Sequence, residues 1–488
     1  MKCRSWHIFI IAWTTGLLLL AWKAPHISLG REESNEARLA ELKGHLLLLE
    51  SDLAALRVQG NRLRDVLQEQ QAQQPRPTGL PVLVITCNRA AATLAHLNKL
   101  LRLRPSGEAF PIIVSQDCEH QPTADAIKGL IANHSHITYI KQPDQSQLAV
   151  PKATAKYANY YKISRHYKFA LGQVFETIGY EAAIITEEDL DLAPDFFHYF
   201  SGLLPLLQKD ESLWCVSAWN DNGKDGLVDW EGGAELLYRT DFFPGLGWML
   251  RRELWEELRG KWPASFWDDW MREPGQRKGR ACIRPELSRT AMSQFGKHGV
   301  SKGLWFEQHL KHILLAKQPV AFGQLKLDYL RREPYDAAFL ARVYAAPQFS
   351  LPDAIAYRMG TFEQHLKHIL LAKQPVAFGQ LKLDYLRREP YDAAFLARVY
   401  AAPQFSLPDA IAYLAVHKND STAPPIRISY NSPEAFHSVA KHFGLMNDFR
   451  SGVSRTGYHG VVTFMQHRVR VYLAPDKSWW KGYDPSWN

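Results

Sequence analysis

The sequence predicts an α/β domain built on a largely parallel sheet, held off a membrane by a helical stalk. Three observations lead there. Apolar strands alternate with helical segments after residue 80. An apolar run, "WHIFIIAWTTGLLLLAW", occupies residues 6–22. A leucine heptad lies between the two.

The apolar run carries no charge apart from His7 and follows Lys2 and Arg4. It is short for a membrane span, which needs roughly 20 residues, and long for the apolar core of a signal peptide. No small-x-small cleavage site follows it. The reading is an uncleaved signal-anchor over 6–22, with residues 1–5 cytosolic and the remainder lumenal; a cleaved signal peptide is the alternative. Cys3 falls at the cytosolic edge. Residues 23–79 form the stem. Leu39, Leu42, Leu46, Leu49, Leu53, Leu56, Gly60, Leu63 and Leu67 step 3-4-3-4, and only Gly60 interrupts the apolar seam. That spacing predicts a coiled coil and self-association through the stem. "QQPRPTG" then reads as a linker.

The domain begins at "LPVLVITCNRAA". Strands "FPIIVSQD", "ITYIKQP" and "AAIIT" follow, separated by helical "LAHLNKLLRLR", "TADAIKGLI" and a long segment over about 154–177. Ligands of such sheets bind beyond the carboxyl ends of the strands. Three polar clusters fall there: Asn88-Arg89, Gln116-Asp117 and Glu187-Glu188-Asp189. The 488 residues are 46% hydrophobic and 22% charged, an ordinary globular composition. The net charge of +8 comes without a dense Lys/Arg run, so no nucleic-acid groove is expected. The 15 Trp fit sugar contacts or core packing. Four lumenal cysteines, Cys87, Cys118, Cys215 and Cys282, permit two disulfides in any of three connectivities. Asn133 and Asn419 lie in glycosylation sequons.

The acidic triplet has two readings, a solvated turn or a cation site. Hard oxygen ligands suit Mg²⁺ or Mn²⁺, which take one or two carboxylates plus phosphate oxygens. In "FWDDWMR", Asp268 lies beside Trp267 and Trp270. Aromatic walls would desolvate it and suit it to act as a general base; a helix N-cap is the other reading. Phe306–Tyr357 and Phe362–Tyr413 are identical over 52 residues, separated by Arg-Met-Gly-Thr. Without the 56-residue shift the chain would have 432 residues. One copy is expected to dock, and the other to loop out or add on.

"PVLVITCNR", "FPIIVSQDC", "YYKISRHYKFALGQVF", "EEDLDLAPDFFHYF", "LWCVSAWNDNG", "YRTDFFPGLGWML", "FWDDWMR", "GRACIRPELSRT" and the terminal "GYDPSWN" resemble the N-acetylglucosaminyltransferase I family, over essentially all of 80–488 apart from the extra copy. The resemblance implies a glycosyltransferase A fold, with a catalytic domain over 80–304 and a smaller C-terminal domain over 305–488. It implies inverting transfer of GlcNAc from UDP-GlcNAc to a mannose of a high-mannose N-glycoprotein, in the Golgi membrane, with Mn²⁺. By that resemblance Asp189 binds the metal. Glu188, where the family usually has Asp, touches the nucleotide sugar, and Glu187 also faces the donor. Arg89, Asp117 and His166 hold the UDP moiety. Ser301 belongs to a loop that closes over the donor, and Asp268 is the catalytic base. The implied disulfides are Cys87–Cys118 and Cys215–Cys282. Two alternatives stand beside this reading: a related transferase that places GlcNAc on O-linked mannose, and a lumenal binding scaffold inactivated by the duplication.

Overall fold

The computed structural model describes residues 29–73, 77–299, 303–332, 335–336, 404–418, 420, 423–476 and 478–487. The apolar run at 6–22, Cys3, Ser301, Asn419 and residues 337–403 of the duplicated region lie outside them. Among the described residues, no helix is long and apolar enough to cross a membrane.

The stem is one 45-residue helix, Leu29–Gln73. The heptad leucines from Leu39 to Leu56 lie along it, each 50–65% exposed in the single chain. Residues 1–76 and 77–488 are separate compact units.

The second unit contains a sheet of eight strands. In chain order these are β1 (Val82–Thr86), β2 (Ile112–Gln116), β3 (Ile137–Lys141), β4 (Ala182–Glu187), β6 (Leu213–Ser217), β7 (Leu237–Thr240), β8 (Trp248–Arg251) and β9 (Ala281–Pro285); β5 (Leu190–Leu192) pairs elsewhere. The order is β3-β2-β1-β4-β8-β6-β9-β7. β1, β2 and β4 are "VLVIT", "IIVSQ" and "AAIITE", nearly continuous apolar runs, because both faces are covered. The four strands β3-β2-β1-β4 run parallel, as expected. The other half is mixed: β8 runs antiparallel to both β4 and β6, and β7 antiparallel to β9. The largely parallel sheet expected from the sequence therefore describes one half only.

The chain moves outward from β1 to β3 and then returns to place β4 on the other side of β1. That reversal opens a crevice at the carboxyl ends of β1 and β4, the usual ligand position in open α/β sheets. Helix Ala90–Leu103 follows β1 and buries Ala92, Thr93, His96, Leu97 and Leu100 on the sheet, a spacing of one helical face. β5 pairs antiparallel with β10 (Thr290–Met292) immediately after the acidic triplet.

A second sheet is formed by β11 (Gln404–Phe405), β12 (Ile426–Tyr430), β16 (Val469–Pro475) and β15 (Val462–Gln466), in that order. β13 (Phe449–Arg450) and β14 (Val453–Ser454) make a small separate pair. Helix Leu407–Val416 is capped by Ser406 and helix Pro433–His442 by Ser432, whose hydroxyls accept backbone N–H bonds from Asp409 and Ala435. Arg470 of β16 meets Glu286, just after β9, at 2.8 Å and so ties the two sheets, while Arg455, just after the β13–β14 pair, meets Asp221 in the loop after β6 at 2.7 Å and Asp448 at 2.7 Å.

The duplicated segment does not dock as a single copy. The head of copy one packs into the core of the first sheet through Val320, Phe322, Leu327, Leu330 and Tyr335. The tail of copy two packs into the core of the second through Phe405 and Ala410, with Leu407 and Tyr413 against them. The backbone at Phe322 lies so close to Gly202 that a β-carbon there would meet it at 2.7 Å, so residue 202 must be glycine. The expectation of one whole docked copy is corrected: the two ends of the segment serve different cores, so each end is filled from the copy with the natural join. Deleting residues 337–392 joins Asp336 to Ala393 and gives the 432-residue chain without touching a described contact. The connection from Asp336 to Gln404 shortens from 67 residues to 11. Chain-entropy scaling alone then favours the shorter protein by about 1.5 kcal/mol. The expected result is a higher urea midpoint; a protein that no longer folds would show that residues of the removed stretch are needed.

Candidate active site

The crevice is built from loops that the strands carry to one place. Arg89 follows β1 and directs its guanidinium across to the end of β4. Its Nε donates to Glu188 Oε1 at 2.8 Å, its Nη2 to Asp189 Oδ2 at 3.0 Å and its Nη1 to the Phe295 carbonyl at 3.1 Å. One arginine thus fixes two of the three acids and the segment after β10. Like-charge repulsion in the triplet is offset by this clamp, a fork geometry that lysine lacks. The three acids do not form a solvated turn: Glu188 is 6% and Asp189 4% exposed.

Burial pushes Glu187 up to about 7 and Glu188 up to about 8, with the charge of Asp189 adding to both. Glu187 turns the other way and accepts a 2.7 Å bond from the Tyr167 hydroxyl. Glu188 turns toward Arg89 instead. Asp189 Oδ1 is buried and has no hydrogen-bond partner. A buried carboxylate oxygen without a donor costs free energy, and a cation removes that cost. The donor set fits Mn²⁺ or Mg²⁺ bound by one carboxylate and completed by phosphate oxygens. Among the described residues, no group of three or more His, Cys, Asp or Glu could hold a metal.

Behind the triplet, His96 holds the turn. One ring nitrogen meets the Leu190 carbonyl at 2.7 Å and the other the Thr186 hydroxyl at 3.0 Å. Burial lowers its pKa to about 4, so the ring is neutral at pH 7.

Asp117 stands at the end of β2, buried, and accepts a 3.0 Å bond from Gln145. The Cys87–Cys118 disulfide ties the loops that carry Arg89 and Asp117 to each other, with Cα atoms 5.6 Å apart. Cys215–Cys282 joins β6 to β9. Both bridges implied by the resemblance are present. His166 lies on helix Ala158–Gly172 and is held by Ser115 Oγ at 2.8 Å. Burial lowers it to about 4, so the ring is neutral at pH 7, with Asp117 near enough to act on it.

Asp268 is on the short helix Trp267–Arg272. The desolvation expected from its tryptophan neighbours is not found. Its side chain is 43% exposed and pairs with Arg272 at 3.1 Å; Asp269 meets the same Arg272 at 2.7 Å. The helix-cap reading fails as well, because Phe266 occupies the N-cap position. Trp267 is turned inward and stacks on Tyr167 at 4.2 Å. Tyr167 therefore links the Glu187 side of the crevice to the Asp268 loop. Sequence reading missed it, although it directly follows His166: neighbours on a helix point about 100° apart, so they serve different contacts. Gln145, Phe295 and Arg272 were missed too. Only Arg272, four residues after Asp268, had a sequence signal.

The chain matches the model of the GNT-I family over residues 28–360 and again over 356–487, the two pieces meeting between the duplicated copies. It is 32% identical to alpha-1,3-mannosyl-glycoprotein 2-beta-N-acetylglucosaminyltransferase of Arabidopsis thaliana across 398 residues, 81% of this chain and 74% of that protein. Among solved structures it is similar to the mannosyltransferase PcManGT of Pyrobaculum calidifontis, in complex with GDP-Man and Mn²⁺, at 16% identity, TM-score 0.30, covering 73% of this chain and 95% of that one. It is also similar to GalNAc-T7 with UDP, GalNAc and Mn²⁺, at 12% identity, TM-score 0.31, covering 45% and 44%. The family match and the Arabidopsis relative span the strands that build the crevice, and on them the chain belongs to the GNT-I family and is an N-acetylglucosaminyltransferase.

Proposed function

We propose that the protein transfers GlcNAc from UDP-GlcNAc to the 2-hydroxyl of the α-1,3-linked mannose of a high-mannose N-glycan, with inversion and with Mn²⁺. The observation that carries this is the clamp of Arg89 on Glu188 and Asp189 at the sheet's switch point, with Asp189 Oδ1 buried and unpartnered. Asp189 would hold Mn²⁺, which supplies charge neutralisation for a leaving diphosphate. Arg89 can exchange a carboxylate partner for a phosphate oxygen on the same side of the site. Asp117 and neutral His166 orient the nucleoside. Asp268 takes the proton of the mannose 2-hydroxyl as that oxygen bonds to the anomeric carbon. The bond from that carbon to the diphosphate oxygen breaks, its electron pair leaves with UDP, and one displacement inverts the centre. In this reading the protein is a single-pass Golgi membrane protein with a lumenal catalytic domain, and the exposed leucine seam of Leu29–Gln73 pairs with a second copy.

Asp189→Ala tests the reading directly. Calorimetric titration with UDP is expected to show Mn²⁺-dependent affinity in the wild type and none in the variant; affinity that still depends on Mn²⁺ sinks the ligand assignment. Transfer to an N-glycan but not to an O-mannosyl peptide is the outcome expected for the acceptor.

A further inference from the structure

Three aromatic rings gather just before Asp268. Tyr160 stacks on Phe266 at 4.8 Å and 21°, and Tyr157 stands edge-on to both, at 6.0 Å from Tyr160 and 5.5 Å from Phe266. The group is not core: it belongs to none of the buried apolar clusters, and Tyr157 is 38% exposed. Phe266 has a φ of +50°, in the left-handed region that bulky residues rarely enter. Such strain persists only where surrounding structure holds it, and it concentrates at functional sites. The αL turn at Phe266 leads straight into Trp267, which is buried, and Asp268, which is not. It therefore sets an aromatic surface beside the carboxylate. Asp268 is near enough for its charge to help raise the Tyr160 hydroxyl, after burial.

We propose that Tyr157, Tyr160 and Phe266 form the acceptor-sugar platform, on which a mannopyranose ring lies with its hydroxyl edge toward Asp268. This rests on the transferase reading above. A pyranose has an apolar face of C–H bonds with a weakly positive rim, which suits the negative face of an aromatic ring. Its hydroxyls need a hydrogen-bond acceptor at the edge, which a half-exposed carboxylate supplies. Donor and acceptor sites then meet across one relay: Glu187 to Tyr167 by hydrogen bond, and Tyr167 to Trp267 by stacking.

The test uses the full chain with Tyr157→Ala, Phe266→Ala and Phe266→Tyr. Both alanine variants should raise the KM for a mannose-terminated N-glycan roughly three- to tenfold, the scale of one aromatic contact. In Tyr157→Ala the kcat and the UDP-GlcNAc affinity should hold; in Phe266→Ala, whose turn also places Asp268, the UDP-GlcNAc affinity should hold while kcat falls as well, and Phe266→Tyr should restore both. Unchanged acceptor KM in both alanine variants overturns the proposal, as does a parallel loss of donor affinity in both. Tyr157 is exposed, so its variant still reads out if Phe266→Ala fails to fold. Saturation-transfer NMR with methyl α-mannopyranoside separates the two readings. A wild type that transfers nothing overturns the proposed reaction, while a sugar signal lost in Tyr157→Ala still supports the platform and an unaltered signal refutes it.

Discussion

Asp268→Asn should lower transfer by about 10²–10⁴-fold and leave UDP-GlcNAc binding unchanged. The size follows from the role. An amide keeps the shape and can still bond Arg272, but it cannot take a proton from the attacking hydroxyl. The location explains why donor binding should survive: Asp268 sits on the Trp267–Arg272 helix, whereas Arg89, Asp117 and Asp189 follow β1, β2 and β4. Asp269→Asn is the control. Asp269 meets Arg272 at 2.7 Å and Arg450 at 3.5 Å, so it holds the loop in place. Its replacement should cost far less activity. Measured turnover and donor affinity decide; wild-type turnover in Asp268→Asn refutes the base assignment.

Asp195→Ala should unfold more easily, by about 3–5 kcal/mol in urea. Asp195 and Arg289 are both fully buried and pair at 3.2 Å. The same carboxylate oxygen accepts the Val320 N–H at 3.1 Å, which anchors the head of copy one. Removing the acid leaves the guanidinium without its counter-charge and a backbone donor without its acceptor. Asp210 makes the matching contact further along, to Arg239 at 3.0 Å and to the Arg332 N–H at 3.0 Å. Asp195→Asn, which keeps a polar acceptor, should fall between wild type and Asp195→Ala. Urea midpoints within error of wild type for Asp195→Ala would show that the pair contributes little net stability.

Much of the α/β core was legible because strands covered on both faces write themselves as unbroken apolar runs. The crevice was legible for the same reason: polar residues that end such runs must lie at one edge of the sheet. The antiparallel half was not, since the direction of β8 depends on how the chain returns past β6, β7 and β9. The triplet was legible as a site but not in its detail. Nothing local tells Glu188 to face Arg89 or Glu187 to face Tyr167, partners 99 and 20 residues away. Asp268 misled for a related reason. "FWDDW" reads as a carboxylate between aromatic walls, yet the turn at Phe266 sends Trp267 inward and leaves the acid outside.

The split docking of the repeat has a consequence for how this native state is selected. Copy two's Phe362–Asp392 carries the same side chains as the docked Phe306–Asp336, and copy one's Gln348–Tyr357 the same as the docked Gln404–Tyr413. Within the shared residues no contact can tell the candidates apart, but the join can: copy two runs on into Leu414, buried in the second core, where copy one runs on into Arg358. The 56 surplus residues can be expelled before, within or after the docked segment with the same repeat side chains buried. These arrangements are distinguished by tether length, through a chain-entropy term that changes by only about 0.6 kcal/mol per doubling. The duplication thus writes several near-degenerate threadings of one fold into a single sequence, and connectivity rather than side-chain recognition chooses among them.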